Sequence, residues 1–222
     1  MCRITAARLG VKKRGTSHSM AIHIHHDDLP DDLNLGAEIA IDTETMGLNP
    51  HRDRLCLVQL SSGDGDAHLV KISHPLQPAP GLAAILADPA ITKLFHFARF
   101  DLAALARSIG PINGPIYCTK IASKLCRTYT DRHGLKDLCA ELIGVELSKQ
   151  QQSSDWGADN LSDAQQHYAA SDVLYLHRLR ARLDEMLARE GRDDIARACF
   201  EFLPVRAGMD LGGFADLDIF HH

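Results

Sequence analysis

Apolar residues along the first half of the chain come in short alternating or continuous bursts, and along the second half they recur at helical spacing. Glu38–Ile41 alternates into an apolar run that ends in Asp42-Thr43-Glu44-Thr45, which predicts a strand with acids at its end. Arg54–Ser61 (RLCLVQLS) predicts a second strand rich in branched residues. The turn-forming Ser62-Gly63-Asp64-Gly65-Asp66 leads from it into a third around Ala67–Ile72, so an antiparallel meander is expected. An earlier segment, with His23 and His25 in alternation and His26 following, also reads as a strand. After a loop with Pro75, Pro78 and Pro80, the pattern predicts a helix near Gly81–Leu86, a strand over Ile91–Phe97 and a helix over Phe100–Ile109. A short strand near Ile116–Cys118 precedes helices near Thr119–Leu125, Leu135–Leu142, Asp163–Glu190 and Asp194–Phe202. This order predicts an α/β fold with helices packed on a sheet, without internal repeats or a domain boundary.

Composition narrows the partners. The 222 residues suit one sizeable domain, and 45% hydrophobic with 24% charged residues is ordinary for a globular chain. No apolar stretch approaches bilayer length, so no membrane is expected. The formal charge of −5 provides no bulk excess of Lys and Arg for a long polyanion, which favours a local grip on a short piece. Six cysteines without a C-x-x-C pair read as reduced thiols in a cytoplasmic protein rather than as a zinc site. Residues 1–19 carry five basic residues and no acid, with no apolar segment after them. The expectation is a disordered extension, or a true start at Met20, followed by one domain over residues 20–222.

Three acidic pieces carry the candidate chemistry. Asp42 and Glu44 lie two apart on a strand and so project from the same face. Adjacent carboxylates repel unless a cation sits between them, which suits a hard divalent metal; a solvated strand end is the plain alternative. Asp101 follows His96-Phe97-Ala98-Arg99-Phe100 where strand passes into helix, beside two Phe residues expected to be buried. Such an acid needs a partner or a metal, or else serves as a helix N-terminal acid. Tyr168 and Asp172 are four apart and share a helix face, a spacing also common on plain helix surfaces.

Taken together, the order and context of these pieces resemble the Tyr-bearing subclass of the DEDD exonuclease superfamily, which includes ribonuclease D. The run Ser154-Asp155-Trp156, then Leu161-Ser162, Gln165, Tyr168-Ala169, Asp172-Val173 and Tyr175-Leu176, is similar to ribonuclease D as well. The resemblance implies a ribonuclease H-like (DnaQ-like exonuclease) mixed sheet with helices on both faces. It implies a 3′→5′ exonuclease releasing nucleoside 5′-monophosphates with two divalent ions, Mg²⁺ or Mn²⁺. Asp42, Glu44, Asp101 and Asp172 would hold the ions and Tyr168 would orient the attacking water. The stretches HRDRLCLVQLSSGDG, KIASKL, RTYTDRHGLK and KQQQSSDW, and the tail ending DLDIF, are similar to compact members that degrade very short oligoribonucleotides. That likeness implies short single-stranded RNA, dinucleotides in particular, as substrate. It also implies a homo-oligomer, a ring-like octamer, with an oligomerisation segment at about 200–222. A broader exonuclease acting on longer RNA or DNA 3′ ends is the enzyme alternative. A silent binding module is the other, and such modules usually lose a carboxylate that is retained here.

The candidate substrate contacts are Thr43, Met46, Gly47, Leu48, His96, Arg99 and Trp156. Gly47 would let the chain turn sharply toward ligand. Leu48 is read as a wedge between bases or as an ordinary core-packed loop residue. His96 and Arg99 touch base or phosphate or are structural, and Trp156 lines the site wall or fills the core. The basic residues Lys120, Lys124, Arg127, Arg132 and Lys136 meet phosphates or form a solvated face. His23, His25 and His26 read as surface residues rather than metal ligands.

Overall fold

The acidic pair Asp42 and Glu44 ends a strand in the interior of a mixed sheet. In the computed structural model, which describes residues 20–148 and 150–221, the strands are β1 (Ile22–His26), β2 (Glu38–Thr45), β3 (Leu55–Ser61), β4 (Ala67–Lys71), β5 (Thr92–Phe95) and β6 (Ile116–Cys118). Their order is β1-β4-β3-β2-β5-β6. The meander β2-β3-β4 is antiparallel, and the pairs β1–β4, β2–β5 and β5–β6 are parallel. The helices are α1 (Pro80–Ala87), α2 (Ala98–Ser108), α3 (Thr119–Cys126), α4 (Leu135–Leu138), α5 (Asp163–Leu174), α6 (Leu176–Glu190) and α7 (Asp193–Leu211). A π-helical turn over Cys139–Ile143 extends α4.

Strand alternation puts different chemistry on the two faces. Asp42 pairs with Gln59 and Glu44 with Leu57, so these four share a face. On that face Leu57 and Leu69 pack with Ala169 of α5. Ile41 and Thr43 face the other way, where the Thr43 hydroxyl reaches Asp101 of α2. Helices therefore cover both faces. Burial of the branched strand residues, among them Ile39, Ile41, Leu57, Leu60 and Leu94, contributes about 2 kcal/mol per side chain.

Three expected elements change in the structure. The helix expected over Asp163–Glu190 is broken at Tyr175, which joins α5 to α6. Ser162 and Gln165 form a reciprocal capping box that starts α5. The last helix runs to Leu211, through Pro204, well past Phe202. An interior proline costs roughly 3 kcal/mol, yet buried Leu203, Ala207 and Asp210 on one face hold α7 against α2. The strand expected over Ile91–Phe97 ends at Phe95, because Phe97 takes a left-handed conformation with φ 71°. No described helix is long and apolar enough to cross a membrane. The expectation for residues 1–19 lies outside the described residues.

Candidate active site

Strand β2 and helix α5 bring their acids together. Asp42, Glu44 and Asp172 each offer a carboxylate oxygen, and all three oxygens lie within 4.8 Å of one another. Tyr168, one turn before Asp172, lines the same cavity. Asp101 stands beside this trio, only 3% exposed, and accepts a 2.7 Å hydrogen bond from Thr43. Burial, reinforced by charge, holds these acids protonated unusually far up the pH scale. Asp42 is pushed up to about 7 by burial. Glu44 is pushed up to about 10, by burial first and then by Asp42, Asp172 and Asp101. Asp101 and Asp172 are raised by burial and then by the Asp42 charge. An all-oxygen donor set under this repulsion fits a hard divalent cation, which would supply the missing positive charge.

The carboxylates sit in a cavity of about 380 Å³ lined by Leu48, His96, Phe97, Phe100, Lys120, Leu135, Lys136, Leu147, Ser148 and Gln152, among others. Leu48 is 84% exposed and does not pack on the core. His96 lines the cavity and contacts Thr119 Oγ1 through Nδ1 at 2.8 Å. Thr119 Oγ1 in turn donates to the Phe95 carbonyl at 3.2 Å, which ties His96 to the end of β5. Gly47 is needed for close approach, since a Cβ there would collide with the Asp53 carboxylate. Thr43 acts on Asp101 from the opposite sheet face.

Other candidates lie elsewhere. Arg99 is turned away from the cavity and forms a bidentate pair with Asp210 at 2.5 and 2.7 Å. Trp156 is buried behind the wall, its ring 6.0 Å from that of Tyr168. Met46 is half exposed and lies against Gly157, outside the cavity lining. The basic region divides: Lys120 and Lys136 line the cavity, whereas Arg127 is fully buried against Glu141, Ser123 and the Arg132 carbonyl. Arg132 pairs with Asp137. The histidines of β1 stack at the sheet edge, with His25 Nε2 3.0 Å from His68 Nδ1.

Sequence reasoning misplaced the two Phe residues, because neither is buried. Phe97 is 47% exposed and Phe100 partly so, and both line the cavity. The left-handed backbone at Phe97 turns its ring outward, with Lys120 Nζ 4.2 Å above it. Nothing in an aromatic run signals that conformation, which non-glycine residues rarely adopt.

The raised acids make an expected pH dependence. The folded protein holds a proton that the unfolded chain has released on Asp42 between about pH 4 and 7, and on Glu44 up to about pH 10. With EDTA present, the Tm should therefore fall as pH rises through that window. Adding Mg²⁺, which requires ionised carboxylates, should raise the Tm more at pH 8.5 than at pH 6. Differential scanning fluorimetry across pH checks this, and an equal Mg²⁺ effect at both values would contradict it.

Known proteins resemble this chain in sequence and in fold. A family model described as 3′-5′ exonuclease matches residues 24–188. Ribonuclease D of Acidiphilium cryptum (strain JF-5) is 35% identical over 156 residues, which is 70% of this chain and 39% of that protein. The chain thus spans well under half the length of such curated relatives. The structure of Brucella melitensis NrnC bound to pGG is similar at TM-score 0.88 and 58% identity, covering 92% of this chain and 100% of that one. The same protein with bound Mg²⁺ gives TM-score 0.87 and 57% identity, over 91% and 99%. Because the match over residues 24–188 contains all five of Asp42, Glu44, Asp101, Tyr168 and Asp172, this chain belongs to the 3′–5′ exonuclease family.

Proposed function

We propose that the chain is a metal-dependent 3′→5′ exoribonuclease that hydrolyses very short oligoribonucleotides, dinucleotides foremost, to nucleoside 5′-monophosphates. The observation that carries this reading is the small acidic cavity with apolar Leu48 and Phe97 in its walls. Its volume of about 380 Å³ is on the scale of a small-molecule site rather than a polymer track. The likeness to NrnC, solved with pGG and with Mg²⁺, supports the same substrate class and metal.

Asp42, Glu44, Asp101 and Asp172 are the proposed ligands of two divalent ions, Mg²⁺ or Mn²⁺. When bound, such ions supply Lewis acidity for the attacking water and for the departing 3′ oxygen. The protein supplies orientation. Thr43 holds Asp101 through its hydroxyl and fixes the orientation of that carboxylate. Burial and then the Asp172 and Glu44 charges raise the Tyr168 hydroxyl far above its ordinary range, so it stays protonated and orients water by hydrogen bonding rather than acting as base. Leu48 and Phe97 present apolar surface to the bases. Lys120 and Lys136 present positive charge to phosphate. Gly47 places the Leu48 loop by its close approach to Asp53; Thr43 lines the cavity, while Trp156 and Arg99 act behind the contact surface.

The proposed assembly is a homo-oligomer, of which a ring-like octamer is the expected form. Phe200, Leu203 and Ala207 pack into their own domain, but Val205, Phe214, Leu217, Ile219 and Phe220 remain exposed. Light scattering showing a monomer at micromolar concentration would remove this part. Among the described residues there are five free thiols, four of them buried, and they support a reducing, cytoplasmic setting.

Cleavage of 5′-labelled RNAs of graded length, with Mg²⁺, Mn²⁺ or EDTA, tests the function. The dinucleotide should turn over about tenfold or more faster than long chains, equivalent to ~1.4 kcal/mol of extra transition-state binding. Similarity to ribonuclease D favours a second reading, general trimming of RNA or DNA 3′ ends. Comparable rates at every length would select it.

A further inference from the structure

Leu48 and Phe97 face the cavity with little packing of their own, so something else must hold them. Leu48 is 84% exposed and Phe97 47% exposed. Their positions depend on the backbone segments that carry them, and one buried residue ties both segments down. Asp210, near the C-terminal end of α7, is only 6% exposed. Its carboxylate accepts from Arg99 Nε at 2.5 Å and Arg99 Nη2 at 2.7 Å, and Arg206 Nη1 lies 3.0 Å away. Arg99 is two residues beyond Phe97, at the start of α2. The main-chain oxygen of Asp210 accepts from His51 Nε2 at 3.1 Å, and His51 is three residues beyond Leu48. Arg99 and Arg206 also share the Ala215 carbonyl at 3.0 and 2.7 Å, which locks this corner together. A second tie runs within the pair, since Arg107 of α2 donates to the Pro50 carbonyl.

We propose that Asp210 is a positioning residue that sets the gap between Leu48 and Phe97, and through it the grip on the substrate's bases. The inference rests on the exonuclease reading given above. Its physical basis is that Phe97 adopts φ 71°, a strained conformation for a non-glycine residue that persists only when its surroundings hold it. The bidentate Arg99–Asp210 pair anchors the chain two residues beyond Phe97, and a fork of two charge-assisted hydrogen bonds fixes orientation as well as distance. His51 gives the segment that carries Leu48 a directed anchor to the same residue. The C-terminal helix therefore acts on base gripping from outside the cavity lining, to which neither Asp210 nor Arg99 belongs.

The test compares Asp210→Ala, Asp210→Asn and His51→Ala in the full chain, with Glu38→Ala as a stability control. Glu38 pairs with Arg180 at the far end of β2, so its loss weakens the fold without touching the gap. Two substrates are used: the RNA length that the wild type cleaves fastest, and bis-p-nitrophenyl phosphate, a phosphodiester without bases. Asp210→Ala should raise KM for RNA about tenfold, in keeping with a displacement well below 1 Å. Its rate on the base-free diester should stay within about twofold of wild type, whereas a general loss of fold would lower both. Asp210→Asn, which keeps an acceptor toward Arg99, should recover most of the RNA affinity. His51→Ala, an exposed position that spares the ion pairs, should raise KM about threefold, an intermediate effect on the same energy scale. Glu38→Ala should lower the Tm with KM unchanged. An unchanged KM in both Asp210→Ala and His51→Ala, or parallel losses on both substrates, would overturn the inference. If the wild type prefers DNA or shows no length preference, the substrate assignment fails instead, and the same KM ratios are then read on the substrate it does cleave.

Discussion

Asp172→Asn should lower kcat by at least about three orders of magnitude while raising the Tm measured in EDTA. The loss follows from removing one of the carboxylates gathered within 4.8 Å, whose ligation is worth several kcal/mol of transition-state stabilisation at ~1.4 kcal/mol per tenfold. The gain has the opposite sign for a related reason. Burial and the Asp42 charge raise the folded-state affinity of Asp172 for its proton, so at neutral pH its ionised form is a cost that the unfolded chain does not carry. An asparagine keeps the volume and a hydrogen-bonding oxygen, and drops the charge. Steady-state kinetics with saturating Mg²⁺ and a melt in EDTA check the two halves separately. Activity near that of the wild type would refute the site assignment, and a lower Tm would refute the account of the electrostatics.

Arg127→Ala should destabilise the protein by about 3 kcal/mol and leave the KM for RNA unchanged. The guanidinium is fully buried, bonded to Ser123 Oγ at 2.9 Å and the Arg132 carbonyl at 2.8 Å, and paired with Glu141. Alanine would leave a cavity and several polar groups without their donor. For a chain of this size, the loss corresponds to a Tm lower by about 10 °C. Arg127→Met, which fills most of the volume, should recover part of that loss. Urea denaturation together with KM distinguishes this structural role from a phosphate contact, which would raise KM and leave stability nearly intact.

Much of the candidate site was legible in the sequence because its parts follow local periodicities. A spacing of two on a strand puts Asp42 and Glu44 on one face, and a spacing of four on a helix does the same for Tyr168 and Asp172. The start of α5 was likewise written in Ser162 and Gln165, which lie three apart and cap each other. The meander β2-β3-β4 emerged from alternation and a glycine-containing turn. The helix boundaries were less secure, as the break at Tyr175 shows.

What periodicity cannot give is the partner of a side chain far away in sequence. Arg99 and Arg127 are basic residues in plausible phosphate-binding contexts, yet acids 111 and 14 positions away claim them. A guanidinium leaving water is stable only against a carboxylate or several carbonyls, so the ion pair wins wherever the fold supplies one. Phe97 shows the converse: an aromatic expected in the core stands half exposed in the cavity wall, because a left-handed residue turns the chain there. Sequence by itself determined the faces on which the acids lie and the elements that carry them, since those depend on spacing along one strand or helix. Only the tertiary structure decided which charges are free to meet a substrate and where the apolar walls stand, since those depend on contacts between segments that no local pattern encodes.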